Sequence, residues 1–289
     1  MVGRARGVGA AVVSFVLLVV LWELAKLLLP DEGVLVGDTR VLPRTDEAAM
    51  PHVWTVFGRL FEPEVAGAAD PRTVGAAVAS GALFTLGLAL GGLVLGGVLG
   101  MLLALAMQRF GLLERAALPY VVASQTVPLI AIAPLVAGWG GKIAIMGWSW
   151  QPWASVMVIA SYLAFFPVAV GMLRGLNAPA KADVELFRTL AAGWWTTLVR
   201  LRLPASVPFL IPAARLAAAA AVVGAIVAEI STGTRGGIGR LIIEYQQSAT
   251  GDPSRLYTAI LGAAVLGLVA AGAVGLLDVG LRRYRGSVR

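Results

Sequence analysis

Six apolar stretches dominate this chain, at about residues 8–29, 80–107, 116–138, 153–173, 205–229 and 256–281. Each can cross a hydrocarbon core of roughly 30 Å at 1.5 Å per helical residue. A backbone in lipid must satisfy its own polar groups, which leaves helices or closed barrels. Barrel strands alternate apolar and polar residues, and these stretches are continuously apolar. The expected fold class is therefore all-α, a polytopic membrane protein with about six transmembrane helices in a single domain over 1–289. Composition agrees. The chain is 58% hydrophobic and 13% charged, against about 45–50% apolar and roughly 25% charged in soluble domains. A soluble enzyme, a disordered chain and a disulfide scaffold are excluded, and the absence of cysteine removes thiolate metal sites as well.

The second stretch is longer than a crossing needs, which predicts tilt or extension beyond the membrane. The first follows Arg4 and Arg6, and its apolar run exceeds the 7–15 residues of a signal-peptide core. It also lacks a small-x-small cleavage site, so it reads as an uncleaved helix with the N-terminus inside. With both termini inside, the inner segments hold 13 basic residues in about 55 positions and the outer segments 8 in about 90. That asymmetry obeys the positive-inside rule. The net charge of +7 thus marks topology rather than a nucleic-acid partner. Trp139, Trp148, Trp150 and Trp153 gather around one outer loop, as interfacial aromatics do.

Three segments outside the spans carry information. In the outer stretch 30–79, Val53, Phe57 and Leu60 recur at helical spacing and predict a short amphipathic helix. The outer segment 230–255 is punctuated by Gly233, Gly236, Gly237 and Gly239. The inner loop 174–204 is far longer than the other inner segments, and long loops in compact proteins tend to be functional. Within it, Asn177 and Pro179 signal a helix start, with Asp183 and Glu185 in its first turns, and Gly193 signals its end. Val184, Phe187, Leu190 and Ala191 fall on one face, while Lys181, Glu185 and Arg188 project elsewhere. Such a helix can dock on a partner or lie in the headgroup interface.

The run Glu185 to Gly193, followed by Leu203-Pro204 and Pro208, resembles the EAA loop of bacterial ABC importer permeases. Glu185 and Pro204 stand 19 residues apart, the family spacing. Leu186 and Phe187 replace the two alanines of that signature, and Ala191 replaces its glycine. The resemblance spans roughly residues 80–281. Gln125-Thr126-Val127-Pro128, Ala133-Pro134-Leu135, Phe166-Pro167, Glu229 and Gly237-Ile238-Gly239 are similar to the nitrate/sulfonate/taurine-type permeases, in the same order on the same spans.

This resemblance implies the type I importer architecture, with a cytoplasmic coupling helix. It implies a non-catalytic permease subunit, as a homodimer, in a bacterial inner or plasma membrane. Its partners would be a cytoplasmic ABC ATPase dimer, a second permease copy, membrane lipid and an extracytoplasmic substrate-binding protein. Asp183, Glu185, Phe187, Arg188, Leu190, Ala191, Gly193 and Pro204 would form the ATPase-coupling loop. No GxxxxGK[ST] loop is present, since Gly140-Gly141-Lys142 continues into Ile143. This chain is thus expected to bind no cofactor, with ATP and Mg on the partner ATPase. The implied cargo is a small molecule such as nitrate, a sulfonate, taurine or a pyrimidine-like compound.

Polar groups inside apolar spans are candidates for a translocation path. Ser124, Gln125 and Thr126 sit midway along the third span beside Pro128, and either line the path or hydrogen-bond between helices. Ser161 and Tyr162 in the fourth span pose the same choice. Arg215, about ten residues into the fifth span, either snorkels inward or faces substrate or a carboxylate. Glu229 at the outer end of that span reads as an interfacial carboxylate with a gating or dimer-contact role. Glu23 and Lys26, three apart, are expected to pair with each other. Glycines 87, 91, 92, 96, 97 and 100 permit close helix approach. His52, alone and without cysteines, offers no metal site. A stand-alone secondary transporter or channel is the alternative, although no internal repeat or midplane acid pair is visible. An intramembrane enzyme would need paired catalytic groups in the spans, and none occurs.

Overall fold

A computed structural model describes residues 2–36, 39–42, 44–65, 72–145 and 147–285. Arg289, counted above among the inner basic residues, lies outside them, as do the side chains of Arg4, Arg6, Arg40, Trp148, Arg282, Arg283 and Arg285. In chain order the helices are α1 (Val2–Leu28), α2 (Val53–Arg59), α3 (Val74–Arg109), α4 (Gly111–Ser124), α5 (Leu129–Gly140) and α6 (Pro152–Leu176). They continue as α7 (Lys181–Thr189), α8 (Trp194–Thr197), α9 (Leu203–Thr232), α10 (Ile238–Gln247) and α11 (Pro253–Arg285). Two antiparallel ribbons pair β1 (Val34–Val36) with β2 (Thr39–Leu42) and β3 (Ala144–Ile145) with β4 (Trp148–Ser149). The class is all-α, as expected.

Among the described residues, four helical runs are long and apolar enough to cross a membrane: Val74–Arg109, Pro152–Leu176, Trp194–Thr232 and Pro253–Leu276. A fifth arises if α4 and α5 count as one span. The third apolar stretch is therefore not the straight helix its hydropathy predicts. The two halves meet at 100°, because Pro128 cannot donate to the ladder and biases the preceding residue away from helix. The fifth span starts earlier than expected. A π-helical turn, Leu198–Arg202, joins α8 to α9 into one run. The widened turn ends just before Pro204, which offers no N–H to the carbonyl four residues back.

The chain divides into two compact units. The first comprises Met1–Ala79 and Ile242–Leu261. Here Lys26 does not pair with Glu23. Its ammonium donates to Met50 O at 2.7 Å and meets Glu47 Oε1 at 3.0 Å. Glu23 instead receives the Val53 N–H at 2.9 Å and lies 2.7 Å from His52 Nδ1. Thr45 is buried and donates to Pro30 O. The short helix α2 forms as its periodicity predicts, but Val56 is its buried residue while Phe57 and Trp54 are exposed. Arg59 then reaches Asp252 at 2.7 Å, and Tyr245 donates to Glu64 at 2.9 Å. Two segments that the charge pattern assigns to the same side are thereby tied together.

The second unit comprises Ser80–Leu241 and Gly262–Arg289, and α6 against α9 forms its centre. The contact is built from small residues, with Ala160, Ala164, Ala217, Ala221 and Ala225 fully buried. Glycines at four-residue spacing admit α3 to the same core. A Cβ on Gly96 would stand 2.3 Å from Ser161 O, and one on Gly100 2.8 Å from Phe165 O, whereas Gly87 and Gly97 face open space. Backbone approach of this kind is the usual basis of tight helix packing in lipid. At the inner ends of α3 and α6, Ala104, Met107, Met172, Leu173, Leu176 and Leu198 make a compact apolar cluster.

Candidate functional site

The inner loop is framed by that cluster. Helix α7 carries Asp183, Glu185 and Arg188 exposed, with Phe187 half-buried and Leu186 and Leu190 exposed at 56% and 70%. No α7 residue is buried. The apolar and charged surface of this helix is thus open to a partner or to the headgroup layer.

Its end differs from the expectation. α7 stops at Thr189, and Gly193 instead precedes α8 as its N-cap. The stop is set by Ala191, whose φ is +50°. Its N–H donates to Arg188 O at 2.9 Å, and the Ala192 N–H donates to Phe187 O at 2.9 Å. These are the two bonds of a Schellman motif, which ordinarily places glycine in the left-handed position. Alanine there bears a steric cost that the family's glycine avoids.

Two further contacts hold the neck of the loop, and sequence reasoning missed both. The Arg202 guanidinium donates to Leu176 O, the last residue of α6, at 2.8 Å. The Trp194 indole donates to Gln108 Oε1 at 3.2 Å, while Arg109 sits 5.3 Å above the Trp194 ring. Helix C-termini leave carbonyls without intrahelical partners, and basic residues commonly satisfy them. A basic residue just before Leu203-Pro204 was visible in the sequence, but the carbonyl it serves lies 26 positions away. Pro204 opens α9 within its first turn, where the missing N–H costs least.

Of the candidate path residues, the structure gathers four at the break between α4 and α5. Ser124 Oγ donates to Val121 O, Gln125 Nε2 to Ser124 Oγ at 3.3 Å, and Thr126 Oγ1 to Ala123 O. Tyr162, from α6, donates to the Ser124 carbonyl. Freed backbone at a broken helix is thus partly satisfied by side chains on either side of it. The other three lie elsewhere. Ser161 is buried and returns its hydroxyl to Val158 O of its own helix. Arg215 reaches across to α11, donating to Gly275 O at 3.2 Å.

Glu229 is not the interfacial carboxylate that its position at a helix end suggests. It is fully buried. Thr85 Oγ1 donates to it at 2.8 Å, the Gly239 N–H donates at 2.9 Å, and Ile238 N–H donates in turn to Thr85 Oγ1 at 2.9 Å. Gly237 must lack a side chain, since a Cβ there would stand 2.1 Å from the carboxyl carbon. The carboxylate therefore caps the start of α10, where a helix dipole favours negative charge. Thr85 was the available signal, as the lone hydroxyl in the apolar run from Gly81 to Met107.

Two clefts flank one ridge of α6 near Arg174. The first is lined by Glu114, Leu118, Val122 and Asn177, the second by Pro208, Phe209 and Pro212, and both by Phe166, Val170 and Arg174. Among the described residues no group of His, Cys, Asp and Glu could hold a metal ion.

Comparison with known proteins agrees with this architecture. Residues 96–283 match the family described as binding-protein-dependent transport system inner membrane component. The chain is 31% identical over 215 residues to the formylaminopyrimidine transport permease protein ThiX of Halalkalibacterium halodurans, covering 74% of this chain and 72% of that one. It is 28% identical over 177 residues to the riboflavin transport system permease protein RibX of Chloroflexus aurantiacus, covering 61% of each. A multi-pass helical membrane protein with these matches belongs to the binding-protein-dependent inner membrane components, the permeases of ABC transporters.

Proposed function

We propose that this chain forms the translocation path of an importer, as a homodimer, with α7 seated on a separate cytoplasmic ATPase. A binding protein on the opposite face delivers the solute. Both chain termini face the cytoplasm, as the basic-residue asymmetry supports. The observation that carries this reading is α7 itself: an exposed amphipathic helix, closed by a Schellman turn at the family's glycine position, on a chain without a phosphate-binding loop. Asp183, Glu185, Phe187, Arg188 and Leu190 make the docking surface, while Ala191, Gly193 and Pro204 shape its exit.

The cargo we propose is a small nitrogen heteroaromatic of the pyrimidine kind. The names of two relatives support it, one concerned with formylaminopyrimidine and the other with riboflavin, while a third is named for aliphatic sulfonates, the competing cargo class. The polar break at Ser124, Gln125, Thr126 and Tyr162 offers hydroxyl and amide groups suited to such a ring. Glu229 serves here as an anchor for α10 rather than as a solute ligand.

Charge reversal tests the coupling. Glu185→Lys and Arg188→Glu should each abolish co-purification with the ATPase while the permease remains inserted. Undiminished co-purification from both variants would return the chain to the stand-alone transporter reading. Calorimetric titration of the cognate binding protein with a formylaminopyrimidine, riboflavin and taurine tests the cargo. Binding of taurine alone would remove the heteroaromatic assignment.

A further inference from the structure

Because α7 has no buried residue, it can pass a displacement to the spans only through its two chain ends and whatever holds them. On the N-terminal side the chain leaves α6 at Leu176, which is itself fully buried in the inner cluster. On the C-terminal side it re-enters through α8 and the π-helical turn, where Leu198 is buried in the same cluster. The two sides touch next to that point, since a Cβ on Gly175 would meet Ser206 Cα at 2.6 Å. The polar link across the neck is Arg202, with Nη1 at 2.8 Å from Leu176 O and 3.5 Å from Asn177 Oδ1.

We propose that Arg202 is a positioning residue that clasps the end of α6 to the start of α9, so that movement of α7 is delivered to both spans together. The inference rests on the reading of α7 as the ATPase-coupling helix. Geometry favours arginine for the task, because its planar fork is preorganised and can address a carbonyl and an amide oxygen at once. The link belongs to a widened helical turn, a feature that often marks functional positions. Without the clasp α7 still presents the same charged and apolar surface, so docking should survive while transmission fails.

The experiment uses the native absence of cysteine. Val170 lines both clefts, so Val170→Cys reports their accessibility to a membrane-impermeant maleimide. In inside-out vesicles holding the permease with its ATPase, labelling is compared before and after trapping with ATP and vanadate. With Arg202 present, trapping should slow labelling about tenfold as the population shifts. Arg202→Gln should abolish that slowing while the ATPase still co-purifies and hydrolyses ATP. Arg202→Lys, which keeps a charge and a donor, should restore part of it and serves if the glutamine variant does not fold. Full slowing in Arg202→Gln overturns the proposal, as does loss of ATPase association in both variants. No slowing when Arg202 is intact, or ATPase association retained in both Glu185→Lys and Arg188→Glu, instead overturns the coupling reading.

Discussion

The Thr85 hydroxyl donates to Glu229 Oε1 at 2.8 Å, joining α3 to α9 through two fully buried side chains. Because Thr85 also accepts the Ile238 N–H, it relays the carboxylate to the first residue of α10. Thr85→Val should leave both Glu229 and Ile238 one partner short and destabilise the protein by about 1–3 kcal/mol. Thermal unfolding in detergent and amide exchange at Ile238 measure it. A variant that melts like the parent, with Ile238 still protected, would show that the network contributes nothing.

Ala191 carries a left-handed backbone at φ +50°. Ala191→Gly should relieve roughly 1 kcal/mol of strain and slow amide exchange at the end of α7. Ala191→Val should do the opposite, since a β-branched side chain fits that conformation worse. Equal exchange in all three proteins would mean that the turn is not strained.

The glycine row of α3 divides by environment. Gly96→Ala forces a methyl group against Ser161 O and should cost about 1–3 kcal/mol or more through displacement of α6. Gly97→Ala meets nothing and should be neutral or stabilising by up to about 1 kcal/mol. Matched unfolding measurements on the pair check the contrast, and similar melting temperatures would refute the packing argument.

Tyr245 gives the segment around α10 a pH dependence. Burial, then its hydrogen bond to Glu64, holds the phenol above its ordinary pKa near 10, with Arg255 opposing. In the unfolded chain the phenol ionises near pH 10, while in the folded chain it keeps its proton. Its contribution is therefore complete below pH 10 and declines as pH rises beyond it. Stability measured from pH 8 to 11 should fall more steeply for the parent than for Tyr245→Phe. Parallel curves would assign the alkaline loss to other groups.

How much of this was legible depended on the range of the interaction. The all-α class and the exposed face of α7 follow from hydropathy and spacing, which are local, whereas of six expected spans four stand as crossing helices among the described residues and a fifth is bent. The pairing of Glu23 with Lys26 failed because spacing on one helix cannot reveal His52 and Glu47, which arrive from the following segment and offer better geometry. Glu229 was misplaced for the same reason, since Thr85 lies 144 positions away. The break before Pro128 was marked by its residues, yet an apolar window averages across it. The stop at Ala191 was hidden because alanine is a poor left-handed residue, so only the family's glycine pointed there.

The run from Trp194 to Thr232 contains 39 residues, which at helical rise is about 58 Å. That is nearly twice a hydrocarbon core of roughly 30 Å. It has Arg202 near one end and Glu229 near the other. It is therefore far longer than one crossing requires, and two interior prolines, Pro208 and Pro212, each remove a bond from its ladder between the widened turn and the glycine turn around Gly233 and Gly237. Bending thus has three built-in places, the widened turn at its base and the two proline positions above it, all in the half nearest Arg202.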